Sequence, residues 1–512
     1  MPRPRKVSRS EATNDAVLDA QSSGHPAWAG VCAVASSNRR SARHYRRSFA
    51  MLGPPVPVCS ASTKWHTASV NRELPSWASS AIWYSVYPLG ACGAPIRPSP
   101  EVNDGLVHRL GRLSNWLDHI VSLGANGLAL GPIWASSTHG YDIIDHDLID
   151  PRLGDSSDFD NLIDACHRRG LKVLLDGVFN HVSSSHADVQ TARRDGVDSA
   201  AGRLFRHDAA QPDGLSRFEG HDALVEYDHT NPAVADRVVA TMTHWLRLGA
   251  DGWRLDAAYR VPRPFWATVI DRVKGEFPQV LTVAEVLHGN YAQFAADTGV
   301  DSVTQYELWK ALWSSLKDAN PHELAWTLQR HEAGLASSAG YLPWTFVGNH
   351  DVTRIATQVG QHNAIVATSL LMTMPGMPCV YYGDEFGLPG LKEERLGGDD
   401  AIRPALPDFP DSSMRGTQPS DLGGPPVDPV PPAEMLRQHQ LLLGLRRRHR
   451  WLQQAGLTIV EQKQKRLTYR VSARIDDSVS RETPDHLNVT IDTSHPQAHV
   501  TIMGQTGELY RW

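Results

Sequence analysis

The chain has 512 residues, of which 41% are hydrophobic and 21% charged, with a formal net charge of −6. That length and composition allow a large core in two or three domains, and the mild acidity argues against a nucleic-acid partner. No run reaches the roughly 18 consecutive apolar residues of a membrane span, and five scattered cysteines (Cys32, Cys59, Cys92, Cys166, Cys379) lack metal-ligand spacing, so they read as free thiols of a cytoplasmic protein.

Residues 1–50 hold nine Arg/Lys against three Asp/Glu, without sustained periodicity or the apolar core of a secretory signal. Residues 1–75 are therefore expected to be a disordered basic extension without a catalytic role. Order is expected from about Trp77. Ile82 to Gly90 reads as a first strand, and Leu110, Leu113, Leu117, Ile120 and Val121 form a helical stripe after it. Asn126 to Ile133 is a second strand, Phe159 to Arg169 a helix, and Lys172 to Val178 a third strand. The polar excursion 182–232 is too long for an ordinary connection and reads as a short inserted subdomain. Thr230-Asn231-Pro232 then caps a helix that carries Val234, Val238, Met242, Trp245 and Leu246 on one face.

Further strands are expected at Gly252–Ala257, Val280–Val286, Ser302–Leu308, Trp344–Asn349 and Pro378–Tyr382, with helices between them. Eight strands alternating with helices predict an α/β fold, a (β/α)8 TIM barrel, formed by residues 76–181 and 233–450. A Pro/Gly-rich linker, 407–432, precedes a helix at Glu434–Arg448. Alternating runs in 451–512, such as Leu467-Thr468-Tyr469-Arg470-Val471, predict a small C-terminal antiparallel β domain.

Four apolar runs end in acidic motifs: Leu174-Leu175-Asp176-Gly177-Val178-Phe179-Asn180-His181, Gly252-Trp253-Arg254-Leu255-Asp256, Thr282-Val283-Ala284-Glu285-Val286 and Phe346-Val347-Gly348-Asn349-His350-Asp351. A carboxylate at the end of a buried strand is costly to leave unpaired, so four of them point to one pocket at the C-terminal strand ends of the barrel. Cleaving a glycosidic bond takes one acid to protonate the leaving oxygen and a second carboxylate to attack or stabilise the sugar centre. Asp256, Glu285 and Asp351 supply those parts with one to spare. Arg254 shares a strand face with Asp256 and is expected to favour its ionised form, as a nucleophile requires, whereas Glu285, with no charged neighbour in sequence, suits the acid role. His181 and His350 can donate hydrogen bonds to sugar hydroxyls or carboxylates.

These motifs, in this order, resemble the four signature regions of the alpha-amylase family of glycoside hydrolases (family 13). His139-Gly140-Tyr141-Asp142 with Asp150-Pro151-Arg152-Leu153-Gly154, and Pro378-Cys379-Val380-Tyr381-Tyr382-Gly383-Asp384-Glu385, are similar to two further family segments. The resemblance implies that Asp256 is the nucleophile of a covalent glycosyl-enzyme, Glu285 the general acid and then base, and Asp351 a third acid gripping sugar hydroxyls. It implies that Tyr141, Asp176, His181, Arg254 and His350 shape the subsite of the reacting sugar, and that the α configuration is retained. Asp384-Glu385 is expected to be a structural network under the barrel.

The chain departs from the family where many members carry Lys-His after the nucleophile; Tyr259 and Arg260 stand there. Asn180 matches a position that binds calcium in some members. The inserted segment has no dense Asp cluster for calcium's six to eight oxygen ligands, so no cofactor is expected and a structural calcium is doubtful. The expected substrate is an α-glucan or α-glucoside oligosaccharide. Two other readings stay open: a transglycosylase with the same three acids, and a non-catalytic carbohydrate-binding homologue.

Overall fold

The computed structural model describes residues 73–97, 105–337, 340–410, 429–474 and 485–512. The expected basic extension, apart from 73–75, lies outside them, as does most of the linker, 411–428.

Strand β1 (Trp83–Val86) is followed by β2 (Gly127–Leu130), an antiparallel pair β3 (Trp134–Ser136) and β4 (Ile143–Ile149), and then β5 (Lys172–Gly177). Next come β6 (His181–Ser183) and β7 (Leu224–Glu226), paired antiparallel, with helix Ala187–Asp195 between them. After helix Pro232–Arg247, strands β8 (Gly252–Leu255), β9 (Leu281–Ala284), β10 (Ser302–Thr304), β11 (Leu342–Phe346) and β12 (Met377–Tyr381) alternate with helices. Eight of these strands close a parallel barrel in the order β1-β12-β11-β10-β9-β8-β5-β2. Strands β13 (Gly456–Gln462), β14 (Arg466–Ser472), β15 (His486–Asp492), β16 (His499–Gly504) and β17 (Gly507–Arg511) form one antiparallel sheet in sequence order. The (β/α)8 barrel and the C-terminal β sheet are as the sequence predicts.

Side chains alternate across each barrel strand. Trp83, Leu174, Leu281, Val283, Leu342, Trp344, Phe346, Met377 and Cys379 form the inner cluster. Tyr84, Leu128, Val173, Leu175, Trp253 and Leu255 belong to the larger cluster under the helices. Continuing the inner face upward two residues at a time leads from Leu174 to Asp176, from Gly252 through Arg254 to Asp256, and from Leu281 through Val283 to Glu285. The pleat that packs the core therefore also aims these side chains at the top of the barrel. Register places Asp176 beside Arg254, and Arg254 beside Val283. The backbone pairing continues past the strand ends, where Asp256 N–H donates to Gly177 O and Glu285 N–H to Leu255 O, each at 3.0 Å.

Several expected boundaries shift. The strand expected over Ser302–Leu308 stops at Thr304, and helix Tyr306–Lys317 takes the rest, because Leu308, Ala311, Leu312, Ser315 and Leu316 bury one helical face. The seventh barrel strand starts at Leu342 instead of Trp344. The β3–β4 pair was not expected from sequence. Its strand residues 143–149 include Asp145, His146 and Asp147, a polar run that reads as loop. The described cysteines Cys92, Cys166 and Cys379 are free and buried. No helix among the described residues is long and apolar enough to cross a membrane.

Candidate active site

Arg254 is the hub of the barrel mouth. Its Nη1 donates to both oxygens of Asp176 at 2.6 Å and lies 3.3 Å from Asp256 Oδ1. Its Nη2 lies 2.6 Å from Glu285 Oε1. One guanidinium thus draws three carboxyls from three adjacent strands together, offsetting much of the cost of burying them. The charge of those carboxylates holds the guanidinium protonated against the opposing effect of burial.

Glu285 has two further donors. Ala257 N–H gives its Oε2 a hydrogen bond at 2.9 Å, and the Tyr306 hydroxyl gives Oε1 one at 3.0 Å. Asn349 Nδ2 in turn donates to Tyr306 at 2.9 Å. Ala257 makes its contact from a left-handed backbone conformation, φ 44°, which is costly for a residue with a Cβ.

Arg254 favours the ionised form of Asp256 as expected, but it does not decide the outcome. Burial, and next the charge of Glu285, raise the Asp256 pKa well above the carboxylate range, and Arg254 does not outweigh them. The reason is geometric, since the arginine spends its short contacts on Asp176 and Glu285. Asp256 consequently holds a proton to a higher pH than an isolated carboxyl would.

Asp351 shows the opposite behaviour. Burial would raise its pKa, but His350, Arg403 and Lys392 hold it well below the usual range. His350 Nε2 is 3.0 Å from its Oδ2, Arg403 Nη2 donates to Oδ1 at 3.0 Å, and Lys392 Nζ donates to its backbone oxygen at 2.8 Å. Arg403 also donates to His350 O at 2.8 Å and lies over the Tyr87 ring at 4.7 Å.

Tyr141 reaches the same centre from the loop between β3 and β4. Its hydroxyl donates to Asp176 Oδ2 at 3.0 Å and contacts His350 Nε2. The Tyr141 and His350 rings are parallel within 3° at 5.3 Å, and Tyr87 continues the stack at 6.2 Å from His350. Asp176, Arg254, Tyr141 and His350 therefore converge with Asp256, Glu285 and Asp351.

His181 is placed differently from the expectation. It is 2% exposed. Its Nε2 donates to Tyr141 O at 3.0 Å, its Nδ1 accepts from Asn180 Nδ2 at 3.2 Å, and its ring stacks on Phe218. Burial drops its pKa to about 3, so the ring is neutral. With both nitrogens engaged, it orients Tyr141 and offers no free donor to a sugar.

Among the described residues, one set of three or more His, Cys, Asp or Glu side chains comes close enough to share a metal: His108, Asp155 and Asp158. Its carboxylates already serve the capping box of helix Ser156–Arg168, and Asp158 also meets His108 at 2.6 Å.

Asp384 and Glu385 lie buried. Glu385 accepts from Tyr84 at 2.7 Å and contacts His119 at 3.0 Å, while Asp384 pairs with the fully buried Arg354 at 3.0 Å. Sequence reasoning missed Arg403, Lys392, Tyr306 and Asn349 as parts of the site. Only Asn349 carried a signal, as a member of the fourth motif.

The Alpha amylase, catalytic domain family matches residues 110–417. The chain belongs to that family. It is 28% identical over 338 residues to an intracellular maltogenic amylase of Bacillus subtilis (strain 168), covering 62% of this chain and 57% of that protein. It is 29% identical over 344 residues to neopullulanase 2 of Thermoactinomyces vulgaris, covering 62% and 58%. The match thus spans less than two thirds of those relatives. A cyclic α-maltosyl-(1→6)-maltose hydrolase from Arthrobacter globiformis superposes with a TM-score of 0.68 at 23% identity, covering 86% of this chain and 99% of that one, a likeness of fold.

Proposed function

We propose that this chain is a retaining glycoside hydrolase that cleaves α-glucosidic bonds in malto-oligosaccharides or related α-glucosides. The observation that carries the reading is the pairing of Asp256 and Glu285 at the ends of neighbouring strands, held by one guanidinium. The reaction needs one protonated and one ionised acid, and the two neighbouring carboxyls can divide that work.

In the first step Asp256, its proton passed to Glu285, attacks the anomeric carbon as Glu285 gives that proton to the departing glycosidic oxygen. A covalent glycosyl-aspartate forms and the aglycone leaves as an alcohol. In the second step Glu285 takes a proton from water, the water oxygen bonds to the anomeric carbon, and Asp256 departs as a carboxylate. Two inversions restore the α configuration. Asp351, kept charged by its cations, is suited to grip sugar hydroxyls, with Asp176, Arg254, Tyr141 and His350 around the reacting ring. The names of the maltogenic amylase and neopullulanase relatives support an α-glucan substrate, and the word intracellular in the first supports a cytoplasmic setting. A sugar acceptor in place of water would make the same site a transglycosylase.

An anomer-resolved NMR time course on maltotriose and maltoheptaose tests the reading. The wild type is expected to release α-anomers first, and Asp256→Asn to lose at least about 10³-fold in rate, the scale of removing a covalent nucleophile. Early β-anomers, or full activity in Asp256→Asn, would refute it. Products longer than the substrate would favour transfer.

We further propose that catalysis needs no calcium, because the inserted segment carries no dense Asp cluster to supply the ion's six to eight oxygen ligands. Activity and melting temperature should be unchanged by EDTA; a loss restored by calcium would overturn this.

A further inference from the structure

Tyr306 opens helix Tyr306–Lys317 just after β10, the strand that pairs with both β9 and β11. It therefore stands between the strand that leads to Glu285 and the strand that leads to Asp351. Its ring packs edge-on against Phe346 at 5.0 Å. Its neighbours in the chain are tied to the loop after β9. Val286 N–H donates to Thr304 Oγ1 at 3.0 Å, Gly289 N–H to Glu307 Oε1 at 3.0 Å, and Glu307 N–H to the Tyr291 hydroxyl at 3.2 Å. The loop that follows Glu285 and the start of this helix are thus fastened to each other, which fixes the Tyr306 hydroxyl against the acid.

The direction of its hydrogen follows from the two contacts of one amide. Asn349 Oδ1 accepts from Asp351 N–H at 2.9 Å, so Nδ2 is the atom turned to the Tyr306 oxygen, 2.9 Å away. An amide nitrogen only donates, so the Tyr306 oxygen accepts there and sends its own hydrogen to Glu285 Oε1 at 3.0 Å. Burial, and next the charge of Glu285, raise the Tyr306 pKa well above the usual phenol value, so the hydrogen stays in place. Hydrogen bonds run unbroken from the Asp351 backbone through Asn349 and Tyr306 to Glu285.

This chain of contacts distinguishes the two oxygens of Glu285. Oε1 faces both the Tyr306 hydroxyl and Arg254 Nη2, the latter at 2.6 Å. Oε2 accepts from one donor, Ala257 N–H. A carboxylate oxygen has two lone pairs, so those of Oε1 are taken and Oε2 keeps one that can carry a proton.

We propose that Tyr306 is a positioning residue for acid catalysis, holding Glu285 by Oε1 so that Oε2 gives the proton to the departing glycosidic oxygen. The inference rests on the reaction proposed above. Tyr306→Phe tests it, since the substitution removes the hydroxyl and keeps the ring on Phe346; a melting curve checks that the variant is folded. Values of kcat/KM are compared on maltotriose, whose departing alcohol must be protonated, and on α-maltosyl fluoride, whose fluoride leaves with little help from an acid. Glu285→Gln is run beside it and should lose at least about 10²-fold on maltotriose but far less on the fluoride. Tyr306→Phe should show the same split in milder form, roughly 10- to 100-fold on maltotriose and less than about 3-fold on the fluoride, because the acid is misplaced and not removed. An equal loss on both substrates, or no loss on either, would overturn the positioning role, while the split in Glu285→Gln would leave the reaction standing. A Glu285→Gln protein without the split would instead refute the acid role of Glu285, and this inference with it.

Discussion

At the scale of single residues, the site works by opposing charges at short range. Asp351 is the plainest case, because burial pulls its proton affinity up while His350, Arg403 and Lys392 pull it down, and the three neighbours win. Arg403→Met removes one of them while keeping much of the apolar stem. The carboxyl pKa must then climb. Activity that needs ionised Asp351 fades as pH falls through that pKa, so the acid limb of the kcat/KM profile should move to higher pH. At the pH optimum the loss should be roughly 10- to 100-fold, equivalent to a charge-assisted hydrogen bond of about 1.5–3 kcal/mol. An unmoved acid limb would show that Arg403 does not set the state of Asp351. Sequence could not find Arg403. It lies 52 residues from Asp351, on a stretch without periodicity, and meets it only because β11 and β12 are neighbours. The acids were legible because each sits where an apolar run stops.

At the scale of elements, the informative feature is the turn after β8. Asp256 ends the inward-facing row, and Ala257 at once enters the left-handed region so that its N–H reaches Glu285. Such strain is stored where surrounding structure fixes the backbone. Ala257→Val puts a β-branched side chain into that conformation and should cost about 2 kcal/mol or more, read as a lowered denaturation midpoint. It should also lower kcat, since the donor to Glu285 moves. Unchanged stability would mean that the turn relaxes freely. The alternation of strands and helices was legible from periodicity, but the strand ends were less so. Barrel strands here are three to six residues long, too short for a period of two to separate them from a helix that follows at once, as at Tyr306. The β3–β4 pair, which carries Tyr141 between its strands, gave no strand signal because its exposed side is charged.

At the scale of the whole molecule, the C-terminal sheet completes the barrel's outer layer. Every residue from Asn363 to Thr373 in helix Gln361–Thr373 is buried. The sheet meets that helix through Tyr469, whose hydroxyl is 2.6 Å from Thr373 Oγ1, through Ala498 N–H to Asn363 Oδ1 at 2.9 Å, and through Trp512 Nε1 to His362 O at 3.1 Å. Deleting residues 456–512 would bare an apolar face that water cannot tolerate. The truncated chain is expected to be insoluble, and a soluble, active truncation seen by size-exclusion chromatography would contradict this.

Ring closure has a further consequence, for how the molecule is born. Strand β1 pairs with β12, so Trp83 lies beside Cys379. A ribosome adding about 5–20 residues per second delivers the second strand many seconds to about a minute after the first. Throughout that interval one flank of β1 has no neighbour to bond with. The nascent chain therefore spends most of its synthesis with an open seam, and assistance during translation would be most valuable before Tyr381 has left the exit tunnel.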